Sequence, residues 1–207
     1  NGFADMGFLI PELVENLRVL EGPFDPRQGN FAVAGSADYQ MGLTERGLLV
    51  KGSYGSFDSM RLVGRWGPPG ETSRTFGGVQ LFRTAGFGQN REAQNAKVMA
   101  QYEGQLSDTT SFRVGALGYG ALFKSAGVLR ADDVASGAKG FFDTYDPRQG
   151  GDSLRAQVHF DLHGHLGNFS HDQSVFLIYR SMRILENFTG FLTDVQLPQQ
   201  RVHGQRG

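Results

Sequence analysis

The sequence predicts an all-β chain: an antiparallel segment of a transmembrane β-barrel, about seven strands of a larger barrel. Three observations carry this. Apolar and polar residues alternate with period two over long runs, the signature of a strand with two unlike faces. Glycine and phenylalanine are abundant, 30 and 17 of 207 residues, and the glycine share is about twice the usual ~7%. Short connections alternate with long ones, which is the layout of an outer-membrane barrel with tight turns on one rim and loops on the other.

Composition removes several other classes. Twenty basic residues against 21 acidic ones give a formal charge of -1, so a strongly basic nucleic-acid binder is excluded. Cysteine is absent, and with it disulfides, thiolate metal sites and cysteine nucleophiles. No apolar run approaches the ~18–20 residues of a spanning helix. Alternating strands escape that test because their hydropathy averages out. The opening Asn1-Gly2-Phe3-Ala4-Asp5 has neither a basic nor an apolar leader region, so no signal peptide is expected. The expectation is a cytosolic chain or a piece of a longer one.

The elements follow in order. Pro11 suits the first turn of a helix, and residues 10–21 read as one helical turn feeding a strand that Gly22-Pro23 closes. Residues 32–43 read as a second strand, interrupted at Gly35. From Gly47 the period of two persists through 47–54 and 60–66, and less cleanly through 75–83, where Gly77-Gly78 blurs the faces. It is clean again in 97–106 and 112–119. The clearest case is 153–166. Leu154, Val158, Phe160 and Leu162 share an apolar face expected to meet lipid, and Arg155, His159, Asp161 and His163 a polar face expected to line the lumen. A last strand covers 174–184, and the tail after Leu185 is expected not to return. Turns at 68–73, 107–110 and 167–170 are short; connections at 84–95 and 120–152 are long. The alternative is a soluble antiparallel sandwich, with one sheet face packed inward and one in water, but its strands are usually about 5–6 residues long.

Glu15-Asn16-Leu17-Arg18-Val19-Leu20-Glu21-Gly22-Pro23, followed by Gly29-Asn30-Phe31-Ala32-Val33-Ala34-Gly35-Ser36-Ala37, resembles the end of the plug domain of TonB-dependent outer-membrane receptors. Tyr54-Gly55-Ser56-Phe57-Asp58 resembles the family's first barrel hairpin, and Asn187-Phe188-Thr189-Gly190-Phe191 is similar to segments of such receptors. The resemblance implies that residues 1–43 are the end of a plug and 44–207 the first strands of a barrel that has about 22 in the family. It implies a bacterial outer-membrane receptor that binds a scarce ligand and imports it with energy from the TonB complex. A ferric siderophore is the commonest ligand; cobalamin, carbohydrate and peptide are alternatives. Implied partners are the remainder of the receptor, TonB itself, the small-molecule ligand and outer-membrane lipid. Glu21 stands where the family commonly has Arg before Gly-Pro, so the family's plug-arginine latch does not carry over to that position. A soluble β-rich binding or adhesion module and a passive porin-like barrel remain as alternatives.

Within this frame ligand capture falls to the long outer loops. Arg130, Asp132, Asp133, Phe141 and Tyr145, in the longest, are the candidate ligand contacts. His159, Asp161, His163 and His165 alternate on one strand face, but neighbours on one face are about 7 Å apart. That is too far for all four to share one small ion, so no metal and no cofactor is expected. The repeat of Asp-Pro-Arg-Gln-Gly at 25–29 and 146–150 reads as shared turn chemistry. No nucleophile–base constellation is visible, so the chain is not expected to be an enzyme.

Overall fold

The computed structural model describes residues 7–24, 34–70, 74–187 and 201–206. Outside them lie the opening five residues, the loop after Gly22-Pro23 with the first Asp-Pro-Arg-Gln-Gly, the start of the second plug-like motif, part of the 68–73 turn and most of the 187–191 motif.

Pro11–Leu13 forms a single 3-10 turn, as the fixed φ of proline favours. It feeds β1 (Val14–Glu21), which pairs antiparallel with β2 (Gly35–Met41). Gly22, with φ of 79°, supplies the left-handed residue that ends β1.

Eight further strands form one antiparallel sheet: β3 (Gly47–Gly55), β4 (Ser59–Gly67), β5 (Phe76–Thr84), β6 (Ala93–Ser107), β7 (Thr110–Lys124), β8 (Gly150–Leu166), β9 (Phe169–Glu186) and β10 (Arg201–Arg206). Spatial order follows chain order, with β3 and β10 at the edges. A five-residue helix, α1 (Ala131–Ala135), sits in the β7–β8 connection. The chain is therefore all-β and antiparallel, and the two sheets divide at residues 42–46, where the sequence changes character.

Two expectations are corrected. The tail does return: β10 lies antiparallel to β9, from Arg201 opposite Glu186 to Arg206 opposite Ser181. The long connections are also shorter than the sequence suggests, 85–92 and 125–149, because β6, β7 and β8 extend into them. Glycines weaken the alternation of Gly118-Tyr119-Gly120-Ala121 as a written pattern. The ladder tolerates them, and Tyr119, Gly120 and Leu122 stay in register with Arg155, Leu154 and Asp152.

Register sorts the side chains into two faces. One cross-strand row runs Gly52, Leu62, Leu81, Ala96, Gly120, Leu154, Ser181. The next runs Gly64, Val79, Val98, Gly118, Ala156, Tyr179. A third includes Tyr102, Val114, Phe160 and Val175. This face is apolar across seven strands and exposed, with Leu48 at 75%, Val50 at 68% and Leu177 at 71% of full exposure.

The opposite face carries Arg61, Arg65, Gln80, Lys97, Gln101, Arg113, Arg155, His159 and Asp161, and over β4–β8 it is the more covered one. What covers its β4–β6 part is the N-terminal segment. Ile10 and Leu13, both fully buried, pack with Leu43 on Val63, Phe76 and Met99, and Leu9, Met41 and Leu117 close the rim of this core. Leu13 sits directly over Gly78, where a Cβ would stand 2.9 Å from its Cδ1. Only a glycine there lets the segment approach so closely.

Candidate binding rim and the polar face

Three connections meet at one end of the sheet. Residues 56–58 join β3 to β4, residues 85–92 join β5 to β6, and residues 125–149 join β7 to β8. Phe57 and Asp58, in the three-residue turn between the paired Gly55 and Ser59, both have positive φ, 61° and 50°. That conformation is rare for a bulky residue, and it holds the Phe57 ring out at the hairpin tip. The Phe57 carbonyl accepts from the Ala85 N–H at 2.8 Å. The Phe142 carbonyl accepts from the Gln89 N–H at 2.9 Å and from Arg91 Nη1 at 2.9 Å.

These bonds bring four rings into a chain. Phe57 meets Phe87 at 6.5 Å, Phe87 meets Phe142 at 6.2 Å, and Phe142 meets Phe141 at 5.1 Å, the last two at nearly perpendicular planes. The Arg91 guanidinium lies 5.2 Å from the Phe87 ring centre and 6.0 Å from that of Phe142. Edge-to-face and cation–π contacts of this kind hold rings in place while leaving faces open. All four rings are more than half exposed, with Phe141 at 73%.

The base of the long loop is tightly built. Asn90 Nδ2 donates to the carbonyls of Ser125 and Gln149 at 2.5 and 2.9 Å, tying the two loops together. Gln149 is fully buried and takes the Asn187 N–H at 2.9 Å. Arg148 bonds both oxygens of the buried Asp146, so the second Asp-Pro-Arg-Gln-Gly is a loop-closing device.

Of the expected ligand contacts, Phe141 belongs to the ring cluster. The other four bond among themselves. Arg130 pairs with Asp132 at 3.1 Å, and the Tyr145 hydroxyl donates to Asp133 while accepting from the Arg130 N–H. The Asp133 hydrogen bond raises the Tyr145 phenol above its ordinary pKa. These groups shape the loop around α1. Phe57, Phe87 and Arg91 escape sequence reading because their meeting depends on three connections far apart in the chain. The one local signal is Gly86-Phe87-Gly88, an aromatic residue flanked by glycines at a loop tip.

The β8 residues fall on the two faces the alternation assigns. Leu154, Val158 and Phe160 are exposed on the apolar face; Arg155, His159, Asp161 and His163 lie on the other. There Asp161 accepts from Ser174 Oγ at 2.6 Å and lies 3.7 Å from Arg113 and 4.0 Å from His159. His163 meets Asp172 across the β8–β9 ladder at 2.6 Å. Arg155 stacks 4.1 Å from the Phe8 ring centre, tying β8 to the N-terminal segment. Among the described residues no three His, Asp or Glu side chains converge as metal ligands.

Comparison with protein families, curated proteins and solved structures gives no match to this chain.

Proposed function

We propose that the chain is a segment of a TonB-dependent outer-membrane receptor, with the sheet as part of a transmembrane barrel wall and residues 1–43 as the end of a plug. One observation carries the reading: the sheet presents most of its exposed apolar side chains on the face away from the N-terminal segment and most of its charged ones on the face that segment covers. In water that arrangement leaves many large apolar side chains exposed side by side on one face, which soluble monomers rarely show. In hydrocarbon it is the stable arrangement, since lipid-facing and lumen-facing residues alternate along every strand. The plug-like motifs support the assignment of the covering segment, and the Phe57–Phe87–Phe142–Phe141 chain with Arg91 supports ligand capture at the long-loop rim. A ferric siderophore is the ligand class proposed first, with cobalamin and carbohydrate next.

This reading puts residues 56–58, 85–92 and 125–149 outside the cell. Protease added to whole cells carrying the receptor should cleave at Arg130 or Lys139. Deleting residues 128–140 should reduce ligand binding and leave the protein assembled in the outer membrane. Cleavage only after the outer membrane is opened would invert the topology and remove the receptor assignment.

A further inference from the structure

The apolar face is not uniform. A groove of about 850 Å³ crosses it, walled by Leu62, Leu81, Leu122 and Leu154 and floored by Ala96 and Gly120. A Cβ built on Gly120 meets no atom within 4 Å, so the floor is open space, not a close-packed seam. Toward the long-loop rim the groove runs into a second hollow of about 620 Å³, which shares Arg83, Gln94, Leu122 and Asp152 with it.

Here the chemistry changes. Arg83, Leu122, Asp152 and Arg183 occupy one cross-strand row, and Lys124 lies two residues beyond Leu122 on the same face. Arg83, Lys124 and Arg183 are exposed. Arg183 pairs with Asp152 at 2.7 Å, whereas the side chains of Arg83 and Lys124 make no hydrogen bond or ion pair among the described residues. Four cations, counting Arg148, line this hollow against the carboxylates of Glu92 and Asp152. Strands are spaced about 4.8 Å apart and residues along a strand rise about 3.4 Å, so Arg83 on β5 and Lys124, two strands over and two residues beyond that row on β7, stand about 12 Å apart at the upper end of the groove.

We propose that this groove and its basic end form a binding site for a phosphorylated acyl lipid: the chain lies over Ala96 and Gly120, and the phosphate sits between Arg83, Lys124 and Arg183. The inference rests on the outward-face reading above and adds a specific lipid to it. Apolar length ending in exposed cations, two of them without an ion pair among the described residues, complements a phosphate on an acyl chain better than a zwitterionic headgroup of no net charge. Each cation near an anionic lipid surface contributes about 1 kcal/mol, or about fivefold in association.

The test uses the intact receptor that carries this segment, its tryptophans elsewhere replaced by phenylalanine, in phosphatidylcholine vesicles, because the β3 and β10 edges need their neighbours in hydrocarbon. Trp66 is the single tryptophan, so a Trp66→Phe, Tyr179→Trp variant reports from the row beside the groove. Brominated phosphatidate should be preferred over brominated phosphatidylcholine about 25-fold in association, about fivefold for each of Arg83 and Lys124, as read from quenching at equal mole fraction. Arg83→Gln with Lys124→Gln should bring that ratio to one. Gly120→Leu, which fills the groove where there is room, should lower it with the cations intact. Equal quenching by both lipids in the parent protein overturns the lipid site and leaves the outward-face reading standing; quenching by neither overturns that reading as well. Displacement of phosphatidate by millimolar inorganic phosphate would overturn the lipid assignment in favour of a simple anion site.

Discussion

Val158→Arg should destabilise the sheet in a bilayer by about 2–4 kcal/mol and leave it almost unchanged in water. Val158 is half exposed on the apolar face, in register with Ala116 on one side and Leu177 on the other. The position is exposed, and a surface substitution of that kind in a soluble protein stays within about 0.5 kcal/mol. In hydrocarbon the same guanidinium has no water, and the depth-dependent cost near mid-membrane is the value above. Denaturant titration of the intact receptor with and without the substitution, folded in phosphatidylcholine vesicles, reads the difference. His159→Ala, next to it on the opposite face, is the control and should be mild. Equal, small effects at both positions would mean that the apolar face meets water or a protein partner, and would sink the membrane reading.

The two faces were legible because period two is the one long-range property a strand writes into local sequence. Leu154, Val158 and Phe160 could be assigned to one side before any pairing partner was known, and the ladder from β7 to β9 keeps them there. The short hairpin turns were legible for the same reason, since turn chemistry is local. Strand ends were not: Gly118 and Gly120 carry no side chain to mark a face, and the sequence reading stopped β7 at Tyr119 when the strand continues to Lys124. The pairing of β10 with β9 was invisible, because a six-residue strand with one glycine has little pattern of its own. The ring cluster was invisible for another reason. Phe57 and Phe142 are 85 positions apart, and what joins them is the backbone carbonyls that each lends to the 85–92 loop.

The docking of the N-terminal segment was also out of reach of sequence patterning, and it yields the second large effect. Both Glu12 oxygens accept from Arg61, each at 2.6 Å, and Lys51 lies 3.6 Å away. Gln80 accepts from the same guanidinium at 2.6 and 3.1 Å, so its planar fork is held from both sides. The carboxylate is on the segment and the arginine on the sheet. The Arg61 hydrogen bonds lower the Glu12 pKa from 4.5 to about 2, against the desolvation that would raise it. A carboxyl whose folded pKa is depressed stabilises the bound state above its unfolded pKa, and that contribution is lost as pH falls through the folded value. Docking should therefore weaken below about pH 4.5, and the Glu12 contribution should be gone near pH 2. Glu12→Gln should flatten this dependence and weaken docking at neutral pH by about 1.5–3 kcal/mol, the range for hydrogen bonds to charged groups. Leu13→Ala empties the fully buried seat over Gly78 and should cost about 2–5 kcal/mol at every pH. Hydrogen exchange at the Gly42 amide, which donates to the Leu13 carbonyl at 2.9 Å, follows the segment directly. If Glu12→Gln keeps the parent's acid-dependent exchange at Gly42, another group controls the release. If Leu13→Ala leaves exchange there unchanged, the segment is held by its strands alone, and the buried cluster on Val63 and Met99 is not what docks it.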